Sequence, residues 1–110
     1  MTDVLIVHTT VADAAAATSL ADLLVAERVA ACVQIVPIRS VYRWQGRIQR
    51  ENEVQLAIKT TSERFDALAA LLAEHHPYEL PEIVAVPVVD GSLEYLDWLR
   101  RETRVVEDMR

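Results

Sequence analysis

Hydrophobic and polar residues exchange places along this chain with two clear periods. From Glu53 to Lys59 the apolar Val54, Leu56 and Ile58 alternate with Glu53, Gln55, Ala57 and Lys59, the period of two expected of a strand with one buried face. Before it, Val33, Ile35, Ile38, Val41 and Tyr42 form a second β-branched and aromatic run. Pro37 should interrupt this run once, at a bulge or an edge, because proline cannot donate to a ladder. A tight turn at Trp44-Gln45-Gly46-Arg47 joins the two arms into a hairpin spanning residues 31–61. The helical period appears twice. Ala17, Leu20, Ala21 and Leu24 make one stripe in a helix that Asp13 can cap, and Phe65, Leu68, Ala69 and Leu72 make another in a helix that Ser62 can cap.

The remaining elements complete the pattern. The almost wholly apolar Val4–Thr9 reads as a central strand with His8 near its end. The second helix carries His75 and His76 at its C-terminal end and is stopped by Pro77, which biases His76 to extended geometry. The stiff loop Pro77-Tyr78-Glu79-Leu80-Pro81 leads to a strand at Ile83–Val86. Ser92 opens a last helix with Leu93, Leu96 and Leu99 inward and Trp98 beside them, and Val105-Val106 can add a short edge strand. Strand, helix, strand, strand, helix, strand is the order of two split βαβ units. It predicts an α+β, ferredoxin-like sandwich, residues 1–110 forming one domain, with a long β2–β3 hairpin and an extra C-terminal helix.

The hairpin is long for its domain. Each arm reaches roughly 40 Å at the usual rise, whereas a compact domain of this size is about 33 Å across. The arms should overreach, carrying Val41, Tyr42, Trp44 and Ile48 into places that need covering, and a second copy of the chain is the simplest cover. Trp44 then reads as a plug in a neighbouring subunit rather than as a ligand wall.

Composition narrows the function classes. In 110 residues, 17 acidic side chains against 11 Lys and Arg leave a formal charge of −6, with no basic run of the kind nucleic acid requires. The longest apolar window, residues 11–31, contains Asp13, Asp22, Glu27 and Arg28, which argues against a membrane span. The single Cys32 excludes an internal disulfide, has no positive charge among its linear neighbours, and is expected to pack as a small hydrophobe in a reducing, cytoplasmic setting. No phosphate loop, dinucleotide fingerprint or nucleophile elbow is present.

Several segments carry a resemblance: Ala31-Cys32-Val33-Gln34-Ile35-Val36-Pro37, Ser40-Val41-Tyr42-Arg43-Trp44-Gln45-Gly46, Glu53, Lys59-Thr60-Thr61, His76-Pro77-Tyr78-Glu79-Leu80-Pro81-Glu82-Ile83 and Tyr95-Leu96-Asp97-Trp98-Leu99. In this order and spacing the chain resembles the CutA family of divalent-cation tolerance proteins along nearly its whole length. The resemblance implies a homotrimer with interlocking hairpins, a fold similar to the PII signalling proteins, copper tolerance through metal binding, and no catalysed reaction. The family's proposed copper ligands are a cysteine ending the first strand and two adjacent histidines ending the second helix. These positions match His8, His75 and His76, and the exchange of cysteine for histidine shifts the expected preference towards Cu(II) or another divalent ion. A second expectation is a cleft between subunits lined by Lys59, Glu53, Tyr42, Tyr78 and Glu82. There Glu53 and Lys59, roughly 20 Å apart on one strand, would each find a partner on a neighbouring arm, or Lys59 would anchor a small anion. A PII-like small-molecule sensor and an enzyme of unidentified substrate are the alternatives.

Overall fold

The computed structural model describes residues 3–105. Its elements are β1 (Val4–Val11), α1 (Ala14–Ala26), β2 (Cys32–Trp44), β3 (Arg47–Thr61), α2 (Phe65–His75), β4 (Val84–Pro87) and α3 (Leu93–Glu102), with one 3-10 turn at Ser62–Arg64. The strands form one sheet in the order β2-β3-β1-β4, every pair antiparallel, as the split βαβ reading requires. Val105 is not in a strand, and Val106 lies outside the described residues.

Each helix forms for a legible reason. Asp13, in extended geometry, accepts the Ala16 N–H at 2.8 Å and so satisfies one of the orphan donors that open α1. Ala17, Leu20, Ala21 and Leu24 are its buried residues, the stripe read from spacing. They meet Leu68 and Leu72 of α2 and Val7, Val11, Leu56 and Ile58 of the sheet in one core. Burying each of the fully enclosed leucines and Ile58 stabilises the fold by about 1.5–3 kcal/mol relative to exposure. Ser62 does not cap α2. It begins the 3-10 turn instead, and neither helix start at Thr61 nor at Arg64 has a side-chain cap.

The hairpin is a continuous ladder from Cys32 opposite Lys59 to Trp44 opposite Arg47. Gln45 (φ 51°) and Gly46 (φ 77°) both take the left-handed conformation, the backbone of a two-residue turn whose twist matches the strands it joins. Of the bulge or edge expected at Pro37, the edge is what the structure has: β2 is the outer strand, where a missing N–H on the open side costs no ladder bond, and the strand runs through Pro37 without interruption. The overreach is real, for the molecule measures 48 × 33 × 21 Å.

The last helix departs from expectation. Leu99 is buried and Leu96 partly so, but Leu93 is 71% exposed. Trp98 is half-buried with its ring 5.4 Å from that of Tyr95, so it is not simply core. α3 reaches the sheet face opposite α1 and α2, where Tyr95 meets Lys59. The Arg28 guanidinium fastens its end by donating to the carbonyls of Arg101 (3.0 Å) and Arg104 (3.4 Å).

Candidate functional site

Side chains on one face of a sheet are set by register. Directly paired residues place His8 between Ala57 and Val84, Lys59 between Ile6 and Cys32, and Gln55 between Thr10 and Val36, all on the face away from α1 and α2. Glu53, Glu51 and Tyr42 belong to the same face, further out along the arm.

The end of α2 delivers the first cluster. The helix stops at His75, and His76 is extended (ψ 133°), as the following proline dictates. This sends the two histidines different ways. His75 is exposed, its Nε2 3.8 Å from a carboxylate oxygen of Glu74. His76 turns in beneath the end of β1, where its Nε2 lies 2.9 Å from the Thr10 carbonyl oxygen and 3.0 Å from Thr9 Oγ1, while its Nδ1 accepts the Tyr78 N–H at 3.1 Å. A carbonyl can only accept, so Nε2 carries the proton and Nδ1 is bare: the ring is the neutral Nε2–H tautomer. Burial holds its pKa below the usual histidine value, against the opposing pull of the Thr10 carbonyl.

The backbone bond to His76 in turn aims Tyr78. Its ring packs 5.0 Å from the imidazole, and its hydroxyl donates to Glu53 Oε2 at 2.8 Å. Glu53 is 8% exposed. Burial first, and then the Glu53 carboxylate, push the Tyr78 hydroxyl far above the usual tyrosine range. Two residues out, Tyr42 donates to Glu51, and that bond raises its pKa to about 12.

Lys59 stands at the other end of this face. Its ammonium donates to the Tyr95 hydroxyl at 3.2 Å and lies 5.2 Å from the centre of the ring. Glu53 and Lys59 thus both find partners within their own chain, contrary to the expectation that each must look to a neighbouring arm. Lys59 also lies directly opposite Cys32, a cation that the cysteine's linear neighbours gave no hint of. Glu82 is exposed in the loop before β4 and joins neither cluster.

The three histidines do not converge. Among the described residues no group of three or more His, Cys, Asp or Glu is placed to hold a metal ion. Both nitrogens of His76 are engaged, and His75 faces away. His8 differs: its Nδ1 is buried and has no hydrogen-bond partner. The donor set of one chain therefore fits at most a partial site, with His8 and His75 free to ligate and His76 available only if Tyr78 lets go. Tyr95 and Glu51 were not foreseen as site residues. The period-two spacing of Glu51 and Glu53 was a usable sign for the latter, whereas Tyr95 reaches Lys59 only through the path of α3.

Comparison with known proteins adds a family. The profile described as CutA1 divalent ion tolerance protein matches residues 5–102. The divalent-cation tolerance protein CutA of Thermus thermophilus is 48% identical over 99 residues, covering 89% of this chain and 96% of the relative. The rice protein CutA 1, chloroplastic, is 43% identical over 91% of this chain but only 57% of its own length. Among solved structures, CutA from Synechococcus elongatus superposes with a TM-score of 0.91 at 44% identity, covering 94% of this chain and 93% of that one.

Proposed function

Because the chain belongs to the CutA1 divalent ion tolerance family, we propose that it acts in divalent-cation tolerance as a homotrimeric, cytoplasmic binding protein rather than as an enzyme. The observation that carries the assembly is the projecting arm. Val41 is 68% exposed, Ile48 52% and Tyr42 37%, apolar area held beyond the chain's own core on a strand with an open edge. A neighbouring copy covers both at once. The half-buried, unpaired Cys32 suits a reducing compartment.

Copper or another divalent ion is the ligand in this reading. His8 and His75 are the first donors, and the buried, partnerless Nδ1 of His8 supports its share: a buried nitrogen with no hydrogen bond is one that a ligand can satisfy. His76 joins only at the expense of its bonds to Thr10 and Tyr78, so binding is of moderate affinity. Isothermal titration with Cu(II) tests this: the His8/His75/His76 triple alanine variant should lose binding and Cys32→Ala should keep it. Equal binding by the wild type and the triple variant removes the copper reading.

A second reading rests on the paired Tyr78–Glu53 and Tyr42–Glu51 contacts, with Lys59 beneath Tyr95. They line a face that a neighbouring arm would roof, making a cleft for a small molecule. Ligand-induced melting shifts that Lys59→Met abolishes while leaving assembly intact would favour this reading.

A further inference from the structure

The loop between α2 and β4 is fastened at few points. Pro77 and Pro81 stiffen it, Glu79 and Leu80 are exposed, and Ile83 packs against the core. Among the described residues, Tyr78 is the one side chain from 77 to 82 that makes a hydrogen bond or an ion pair, donating to Glu53 Oε2 at 2.8 Å. We propose that Tyr78, anchored on Glu53, is a latch that holds His76 in place and governs the access of a ligand to its imidazole. The proposal rests on the metal reading of the histidines and names the residue that controls the third donor.

The two ring nitrogens are held differently. Nε2 carries the proton that it donates towards Thr10, and a metal binds only a bare nitrogen. Nδ1 is that nitrogen, and the Tyr78 N–H occupies its lone pair at 3.1 Å. The Tyr78 ring also covers the imidazole, with centroids 5.0 Å apart. The blocking bond and the cover thus belong to one residue, joined to His76 through a proline whose φ is locked. Tyr78 can draw back only by pulling its hydroxyl off Glu53.

The anchor is firm for two reasons. Glu53 is 8% exposed, so taking away the phenol leaves a carboxylate short of a partner where water reaches it poorly. It also adjoins Val54, which pairs with Val11 at the end of the β1–β3 ladder, while Thr10, the partner of the other imidazole nitrogen, pairs with Gln55 in that same ladder. Both ends of the latch are therefore fixed to one another by the centre of the sheet. The latch closes within a single chain and needs no open face of the arm. Tyr42 on Glu51 repeats the phenol–carboxylate bond further out along β3 and supplies a comparison within the molecule.

Two measurements on the full chain test the latch, one of them without metal. Diethyl pyrocarbonate acylates a bare imidazole nitrogen, and peptide mapping reads its rate at each histidine. In the wild type His76 should react far more slowly than the exposed His75. Tyr78→Phe keeps the ring and the backbone N–H and removes only the anchor; it should speed His76 about tenfold, the scale of a lost hydrogen bond to a charged group. Glu53→Gln, which leaves a weaker acceptor, should speed it less, and Glu51→Gln not at all, with the His75 rate unchanged throughout. An unchanged His76 rate in both Tyr78→Phe and Glu53→Gln overturns the latch, as does an equal rise in Glu51→Gln or at His75, which would mean general loosening. Calorimetric titration with Cu(II) is the second measurement: Tyr78→Phe should bind more tightly than the wild type, and adding His76→Ala should cancel the gain. A gain that survives His76→Ala overturns the proposal. Faster acylation of His76 with no Cu(II) binding by any form supports the latch and removes the metal reading, whereas Cu(II) binding with an unaltered His76 in both latch variants does the reverse.

Discussion

The two halves of the β2–β3 hairpin share one ladder but live under different physical conditions. In the near half, Leu56 and Ile58 are fully buried beneath α1 and α2. In the far half, Val41 and Ile48 are more than half exposed, with arginines between them on one face and tyrosine-bound carboxylates on the other. The β2–β3 ladder runs unbroken through both, while only the near half of β3, from Val54 to Thr61, pairs with β1 as well. The difference teaches that the ladder alone does not explain the arm: its near half is stabilised by the core of its own chain, and its far half has no such core.

Substitutions should divide along that boundary. Leu56→Ala removes packed methyl groups from the core and should lower unfolding free energy by about 2–5 kcal/mol, read by denaturant unfolding; a loss no larger than that of a surface change would contradict the burial. Trp44→Asp, at the arm's tip, should leave the secondary structure of the base intact and weaken assembly by several kcal/mol through an unpaired interface charge, on the order seen for broken buried pairs. Sedimentation across a dilution series measures it. Ile48→Ala sharpens the contrast, since its effect on the folding of the chain itself should stay within about 0.5 kcal/mol while the dissociating concentration of the assembly rises. If Ile48→Ala instead destabilises the chain as strongly as Leu56→Ala, the two halves are not distinct.

The smallest expected effect is a pH dependence where the two halves meet. The pKa of His76 is depressed in the folded protein, so below the ordinary histidine value near 6.5 the unfolded chain binds the proton more readily than the folded one. Its contribution is complete above that value and is lost as pH falls through the folded pKa. Protonating Nδ1 also removes the acceptor for the Tyr78 N–H. Melting temperature should therefore decline from pH 7 to pH 5 more steeply in the wild type than in His76→Gln; parallel declines would assign the slope to other groups.

Much of this fold was legible because its signals are local. Asp13 capping α1, the Ala17–Leu24 stripe, the alternation of β3 and the turn at Gln45-Gly46 depend on neighbours within a few residues. Pro37 pointed rightly to an edge, but whether it also breaks the strand depends on whether β2 has a partner on the open side, a property of sheet order. Leu93 misled because helical spacing identifies a stripe without saying how far along the helix the packing surface extends. The site was harder still. Glu53 and Lys59 were correctly placed on one face, yet their partners Tyr78 and Tyr95 come from a post-helix loop and from α3, 25 and 36 residues away. The divergence of His75 and His76 follows from Pro77, but where each ring then goes depends on the end of β1.

The proposed assembly is the claim on which the rest turns, and sedimentation equilibrium of the wild-type protein at micromolar concentration tests it most directly. The expected result is a single species of three times the 12.4 kDa chain, unchanged on tenfold dilution. A species of one chain mass, with the arm's Val41 and Ile48 left in water, would contradict it.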